Sequence, residues 1–432
     1  MARSAAGPKG SAQPVRTRSR GATRKARQPG RHLRVVGPGE RPRTPAQTNR
    51  RFIVLLLGST AALTVLGLVM VLSASSVAAY AQYGSSFLFA WRQALYGVVG
   101  VGVLVLCARM PYGSWRRLSL PFFAVCVLLL LMVLHPAAGT VAGGSSRWLA
   151  VGPVTIQPSE FVKLAIVALV AGVLAGRWKR LDEPSALLFP IVPLTALVCV
   201  LIMLQPDLGT TLIVAGTVFI LIFLAGVRLS WLVLAGAGGG ILTFALIASS
   251  SYRWDRFTSF LNPWGDPQNT GYHLIQSLIA LGSGGLTGEG LGASRQKWLY
   301  VPNAHTDFIF SILGEELGLL GAMVTIGLFA VFLYAGVRIA GRAPDPFGRL
   351  LAGGIVAWLG LQILINLGAV TGLLPITGVP LPLISAGGSS LIVSLAAIGI
   401  LVSIARRGTS RAPAGAGSRN QARQKQRRKR RR

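Results

Sequence analysis

The ionisable residues that stand among apolar neighbours carry most of the chemical information in this chain. Asn303-Ala304-His305-Thr306-Asp307-Phe308-Ile309-Phe310 places a carboxylate at the mouth of a long apolar segment. Partial desolvation there raises a carboxylate pKa towards the range of a general base. His305 is a supporting group beside it. The plainer alternative for Asp307 is a solvated loop residue. Arg147, in Gly143-Gly144-Ser145-Ser146-Arg147-Trp148, is either an interfacial anchor with Trp148 or a planar fork for phosphate oxygens. Glu160 and Lys163 are spaced i, i+3 behind Pro158, a residue suited to a first helical turn. They share one helix face, so they either pair with each other or line a cavity. Asp207, in Gln205-Pro206-Asp207-Leu208-Gly209-Thr210, reads first as a helix cap. Glu315 and Glu316 fall two turns into an apolar run and are expected to hydrogen bond in the bundle interior. Leu381-Pro382-Leu383-Ile384-Ser385-Ala386-Gly387-Gly388 breaks and reopens a helix. Its small residues, Ser385 among them, permit close packing or line a cavity.

These residues need a scaffold, and composition says which kind. The chain is 52% hydrophobic and 13% charged, which excludes an ordinary soluble protein and implies an all-α polytopic membrane protein. Apolar runs long enough to cross about 30 Å of hydrocarbon predict about ten transmembrane helices. They fall near 52–74, 90–108, 119–134, 158–176, 186–204, 208–226, 231–250, 308–335, 350–374 and 382–405. Alternating strands of the membrane-barrel kind are absent from the pattern. The net charge of +31 is concentrated at the ends: residues 1–51 hold 14 Lys/Arg, and residues 406–432 hold 12. Both tails are rich in Gly, Pro, Ser, Ala and Arg and are expected to be disordered. Tethered to a membrane, they suit anionic lipid headgroups or an acidic protein partner rather than nucleic acid.

The distribution of basic residues in short loops puts both tails in the cytoplasm. Residues 251–307 then form one long extracytoplasmic loop, and Arg147, Arg253, Arg256, Arg295 and Lys297 fall on the side poor in positive charge. Basic residues there imply a bound anion. The stretch Tyr272 to Leu281 is amphipathic and suits the membrane surface. Cys107, Cys126 and Cys199 all lie in apolar runs and read as small buried hydrophobes. No zinc ligand set, nucleophile elbow, phosphate-binding P-loop or dinucleotide fingerprint is present.

Several separated motifs coincide with those of one family. They are Ser146-Arg147-Trp148, Gln157-Pro158-Ser159-Glu160-Phe161-Val162-Lys163, Gln205-Pro206-Asp207-Leu208-Gly209-Thr210, Gly271-Tyr272-His273-Leu274-Ile275-Gln276-Ser277, His305-Thr306-Asp307-Phe308-Ile309-Phe310 with Gly314-Glu315-Glu316-Leu317-Gly318, and Pro380-Leu381-Pro382-Leu383-Ile384-Ser385. In this order, over residues 52–405, the chain resembles the shape, elongation, division and sporulation (SEDS) family of membrane peptidoglycan polymerases. The block 290–307 and the long tails are more similar to division-type than to elongation-type members. Two positions depart from the family pattern. Leu299 stands where an acidic residue is common, and Ala386 where an aromatic is.

The resemblance implies glycosyl transfer from lipid II at the outer face of the cytoplasmic membrane, at the division septum. It assigns Asp307 as general base. Arg147 and Lys163, with Glu160 and Lys297, would bind the pyrophosphate and sugar, and His305 and Ser385 would support them. No protein cage for a metal is evident, although a divalent cation (Mg or Mn) would assist the leaving group. The implied partners are a class B penicillin-binding transpeptidase and other division proteins. An elongation polymerase, a lipid II flippase and a non-catalytic scaffold are the competing readings.

Overall fold

The computed structural model describes residues 45–135, 139–142, 145–152, 154–178, 184–298 and 304–407. The helices are α1 (Pro45–Tyr83), α2 (Leu88–Arg109), α3 (Tyr112–Leu134), α4 (Pro158–Gly176), α5 (Pro184–Met203) and α6 (Leu208–Ala225), followed by α7 (Leu229–Ala248), α8 (Ser251–Leu261), α9 (Tyr272–Ser283), α10 (Ile309–Ala340), α11 (Pro346–Val370) and α12 (Gly388–Arg407). Among the described residues, nine helices are long and apolar enough to cross a membrane, and α5 adds a shorter apolar stretch, Phe189–Met203. These ten account for the ten predicted spans. The expectation of disordered tails falls largely on residues 1–44 and 408–432, which lie outside the described residues. At both junctions the helix runs further than the tail boundaries of 51 and 406 anticipate. There, the buried Asn49 side chain donates to Ala405 O at 3.2 Å. That bond fastens the start of α1 to the end of α12, so both ends of the helical bundle emerge together.

The bundle is built around α4, which is buried on nearly every face. A helix apolar all round belongs in such a position. It packs on α3, α5, α6, α11 and α12. Small residues let the helices approach closely: a Cβ on Gly399 of α12 would stand 2.4 Å from Leu104 O of α2. The opposite case is α7, where only Leu232 and Ile247 are buried; most of the rest of its surface is exposed.

Three features depart from the pattern of spans and loops read from the sequence. The segment before α4 is a small antiparallel sheet, β1 (Gly139–Ala142), β2 (Ser145–Val151) and β3 (Val154–Ile156), in the order β1-β2-β3. Arg147 therefore sits on strand β2. The long connection 251–307 also contains ordered helices, α8 and α9. The α9 segment, expected along the membrane surface, instead buries Leu274, Ile275, Ser277 and Ala280. Ser277 Oγ donates to Val370 O and shares a bond with Ser311 Oγ, both at 2.7 Å. The two serines dock α9 onto α10 and α11.

The third departure lies inside α10, which breaks at Gly318 (φ 66°, ψ −168°). A broken helix frees backbone groups that lipid cannot satisfy, and here residues 285–290 satisfy them. Glu289 N and Gly290 N donate to the carbonyls of Glu315 and Glu316, while Leu319 N and Leu320 N donate to those of Gly285 and Leu286. The carboxylates join in. Glu315 accepts from Ser294 Oγ and Arg295 N, and Glu316 accepts from Ser73 Oγ of α1. The interior, hydrogen-bonded role expected of the two glutamates is what the structure contains.

Candidate active site

Where α10 begins, three non-helical segments meet: 304–308, 371–387 and the 205–207 connection between α5 and α6. Side chains of α11 tie the first two together. Asn366 Nδ2 donates to Asp307 O and to Val379 O, both at 2.8 Å. Gln362 Nε2 donates to Pro380 O at 3.0 Å. Ser385 Oγ donates to Thr306 O at 2.6 Å and accepts from Leu381 N at 2.8 Å. Ala386 N donates to His305 O at 2.9 Å, and Gln93 Nε2 of α2 donates to Ser385 O. Asp307 is thus held through its own backbone by a mesh of amides and a hydroxyl. Gly378, at φ +72°, allows the 376–378 backbone to run beside the carboxylate. A Cβ there would stand 3.5 Å from Asp307 Oδ2.

Two adjoining cavities open at this place. The larger, about 380 Å³, is lined by Asp307, Phe308, His273 of α9, and Asp255 and Arg256 of α8. The second, about 260 Å³, is lined by Arg147, Arg253 and Arg256 with the apolar side chains of Leu208, Leu212, Ile247 and Phe257. Arg256 and Ile376 line both. One cavity therefore presents carboxylates, an imidazole and amide groups. The other presents three guanidinium groups above a greasy wall made by α6, α7 and α8.

Burial pushes the Asp307 carboxyl up to about 6 from its ordinary 3.8. Arg256 draws it down, Asp207 adds to the rise, and Arg147 draws it down again. Asp207 itself caps α6, accepting from Thr210 N at 3.0 Å and from Thr210 Oγ1 at 2.9 Å. Arg147 is oriented by donating Nε–H to Gln205 O at 3.0 Å and Nη2–H to Pro206 O.

The sequence-predicted residues do not all arrive at these cavities. Asp307 and Arg147 do. Ser385 holds the 380–386 segment against Thr306. His305 turns its ring to Phe89, with centroids 4.9 Å apart, and supports the segment through its carbonyl. Lys163 is 2% exposed. It donates to Glu160 Oε1 at 2.8 Å and to Gln362 Oε1 at 3.0 Å, and Trp358 Nε1 donates to the same Gln362 oxygen. Glu160 and Lys163 thus brace the amide that carries Pro380 and line neither cavity. Lys297 is buried at the α10 break, donating to Gly292 O and lying 3.9 Å from Glu316. Neither lysine lines either cavity, and each is engaged by a buried carboxylate and a carbonyl or amide oxygen. Three residues gain importance beyond the sequence reading. Arg256 had only its charge to mark it, His273 only its place in a motif, and Asn366 stood with Gln362 at i, i+4 in an apolar span.

Fold and site together define a polytopic helical membrane protein with a carboxylate and an arginine cluster at the end of the bundle opposite the Asn49–Ala405 contact. Residues 54–410 match the family described as cell cycle protein, FTSW_RODA_SPOVE, and the chain belongs to that family. It is 44% identical over 353 residues to stage V sporulation protein E of Bacillus subtilis, covering 82% of this chain and 96% of that one. It is 42% identical to the probable peptidoglycan glycosyltransferase FtsW of Geobacter metallireducens, covering 83% and 95%. Among solved structures, a peptidoglycan synthase complex that coordinates polymerization and crosslinking matches with a TM-score of 0.68 at 29% identity, covering 82% of this chain and 97% of its counterpart. The rod shape determining protein RodA of Thermus thermophilus matches with a TM-score of 0.59 at 29% identity, covering 81% and 95%.

Proposed function

We propose that this chain is a peptidoglycan glycosyltransferase that polymerises lipid II during septal cell-wall synthesis. The observation that carries the proposal is the pair of adjoining cavities that share Arg256. One is built for a sugar that must lose a proton, the other for an anionic leaving group on an apolar tail. The acceptor's 4-hydroxyl lies in the larger cavity and gives its proton to Asp307. Its oxygen attacks the anomeric carbon of the donor sugar, the bond from that carbon to the phosphate oxygen breaks, and the anomeric centre inverts. The lipid pyrophosphate departs into the second cavity, where Arg147, Arg253 and Arg256 stabilise the charge that develops on it. The apolar wall of that cavity carries the first part of the prenyl chain. A pKa near 6 leaves Asp307 mostly ionised at pH 7 yet basic enough to accept a proton in the transition state.

A divalent cation, where the reaction takes one, would be held mainly by the pyrophosphate oxygens with one carboxylate such as Asp255. Among the described residues no cluster of three or more His, Cys, Asp or Glu offers a complete protein cage.

The termini-side end of the bundle faces the cytoplasm in this proposal. The Asn49–Ala405 contact supports tails that share one side, as ten spans require. The α12 helix runs from the site segment to that contact over about 30 Å, which supports a site on the outer face. The relatives named FtsW and stage V sporulation protein E favour a septal role over elongation. The likeness to a synthase complex supports a class B penicillin-binding transpeptidase as partner.

The test uses purified protein with its transpeptidase partner and labelled lipid II. Asp307→Asn is expected to abolish glycan strands while lipid II still binds. Strand synthesis at the wild-type rate by Asp307→Ala would remove the general-base assignment. Lipid II translocation in proteoliposomes that persists in the same variant would replace the enzyme reading with transport.

A further inference from the structure

The imidazole of His273 has no task in the mechanism above, yet it lines the same cavity as Asp307. Its position is firmly set. The α9 helix is docked by Ser277, and its N-terminal neighbour Gly271 is so tightly seated that a Cβ there would stand 1.9 Å from Pro263 O. The His273 ring lies within 8° of parallel to that of Phe308, at 6.1 Å between centroids. Phe308 directly follows Asp307, so the imidazole and the carboxylate belong to one rigid wall.

The two ring nitrogens of His273 are not equivalent. Nδ1 is buried and has no hydrogen-bond partner. An orphaned N–H inside a protein is rarer than an orphaned acceptor, so the neutral tautomer that fits carries its proton on Nε2. Burial first, and the charge of Arg256 second, lower the His273 pKa from its ordinary 6.5, which keeps the ring neutral at working pH. Other neutral donors of this wall are drawn to neighbours. Asn269 Nδ2 donates one of its N–H groups to Asp266 Oδ1, Thr270 donates through N and Oγ1 to Asp266 Oδ2, and Ser259 Oγ donates to Arg256 O. Asp255 and Asp307 are acceptors when ionised, and Arg256 is a cation shared with the phosphate side.

We propose that His273 is a substrate-binding residue whose Nε2–H donates to the acceptor-sugar oxygen next to the hydroxyl that Asp307 deprotonates. The inference rests on the general-base reading of Asp307. One contact to a sugar leaves the ring free to swing about it. Two contacts to vicinal oxygens, one donating to Asp307 and one accepting from His273, fix the ring and aim the attacking lone pair at the donor carbon. Orientation of that kind acts on kcat as well as on KM.

The experiment measures initial rates in detergent with the transpeptidase partner, using lipid II and a lipid II analogue lacking the 3-hydroxyl of its terminal sugar. His273→Phe keeps an aromatic ring against Phe308 and removes the N–H. His273→Gln restores an N–H donor. On lipid II, His273→Phe is expected to lose roughly tenfold in kcat/KM, the worth of one hydrogen bond to substrate, and His273→Gln to recover most of it. On the analogue, wild type falls to the level of His273→Phe, and His273→Phe falls no further. Equal losses by His273→Phe on both acceptors, or a glutamine variant no better than phenylalanine, would overturn the assignment. Asp307→Asn run beside them separates the two claims. If it is inactive while His273→Phe is wild type, only the His273 assignment fails. If Asp307→Asn polymerises, the reading of the whole site fails.

Discussion

The acid limb of the pH–rate profile tests the site most directly. Asp307 has its pKa pushed up to about 6, chiefly by burial. A general base must be ionised to act, so kcat/KM follows the unprotonated fraction of the free enzyme. With a pKa near 6 that fraction is about nine-tenths at pH 7 and about one-tenth at pH 5, a fall of roughly tenfold. A solvent-exposed aspartate near its ordinary 3.8 would lose less than about 10% over the same range. The assay is single-turnover polymerisation of labelled lipid II between pH 4.5 and 8, with protein integrity checked by return to pH 7. Two variants identify the titrating group. Arg256→Gln removes the strongest attraction that holds the carboxylate ionised, so its limb moves to higher pH. In His273→Gln the limb remains near pH 6, because an imidazole is not its source. A flat profile from pH 7 to 5 would refute the desolvated-base reasoning. A limb that disappears with His273 would reassign the base to the imidazole.

Two further perturbations test the supports of the site. Gly318→Ala places a Cβ 2.3 Å from Gly288 N, at φ +66° and ψ −168°, a conformation open almost only to glycine. It is expected to cost about 3 kcal/mol or more and lower the Tm in detergent by several degrees; an unchanged Tm would mean that the 285–290 ribbon is not held by the break. Lys163→Met leaves Glu160 buried without its cation and is expected to cost about 3–5 kcal/mol, whereas the double variant Glu160→Gln/Lys163→Met recovers most of that stability. If Lys163 only braces Gln362, the double variant polymerises within about tenfold of wild type; a loss of a hundredfold or more in folded protein would place the ammonium on the substrate.

The spans were legible because a segment that crosses hydrocarbon must be apolar along its whole length, and ten such runs stand out whatever their neighbours do. The same rule hid α8. Its Arg253, Asp255 and Arg256 break any apolar run, so an ordered helix that carries two of the three arginines lining the cavities reads as loop. The sheet at 139–156 was hidden for another reason: three short strands take their stability from pairing with one another, which no single strand announces. Asp307 was legible as a charge at a membrane edge, and Asp207 as a cap, because both roles are local. The fate of Lys163 was not. Its i, i+3 partner is visible in the sequence, but the Gln362 oxygen that completes its coordination arrives from 199 residues away. That contact, invisible in the sequence, is what ties the candidate phosphate ligand to the Gln362 amide. Lys297 changes role in the same way when Glu316 reaches it from the broken helix. The polar residues of this chain therefore divide by reach. Those whose partners lie within a turn declare themselves, and those completed across the bundle take their function from the fold. Arg256 is the sharpest case. Sequence alone marks it as a misplaced positive charge, and only the approach of α8 to Asp307 makes it the group that both draws the Asp307 carboxyl down and lines the two cavities.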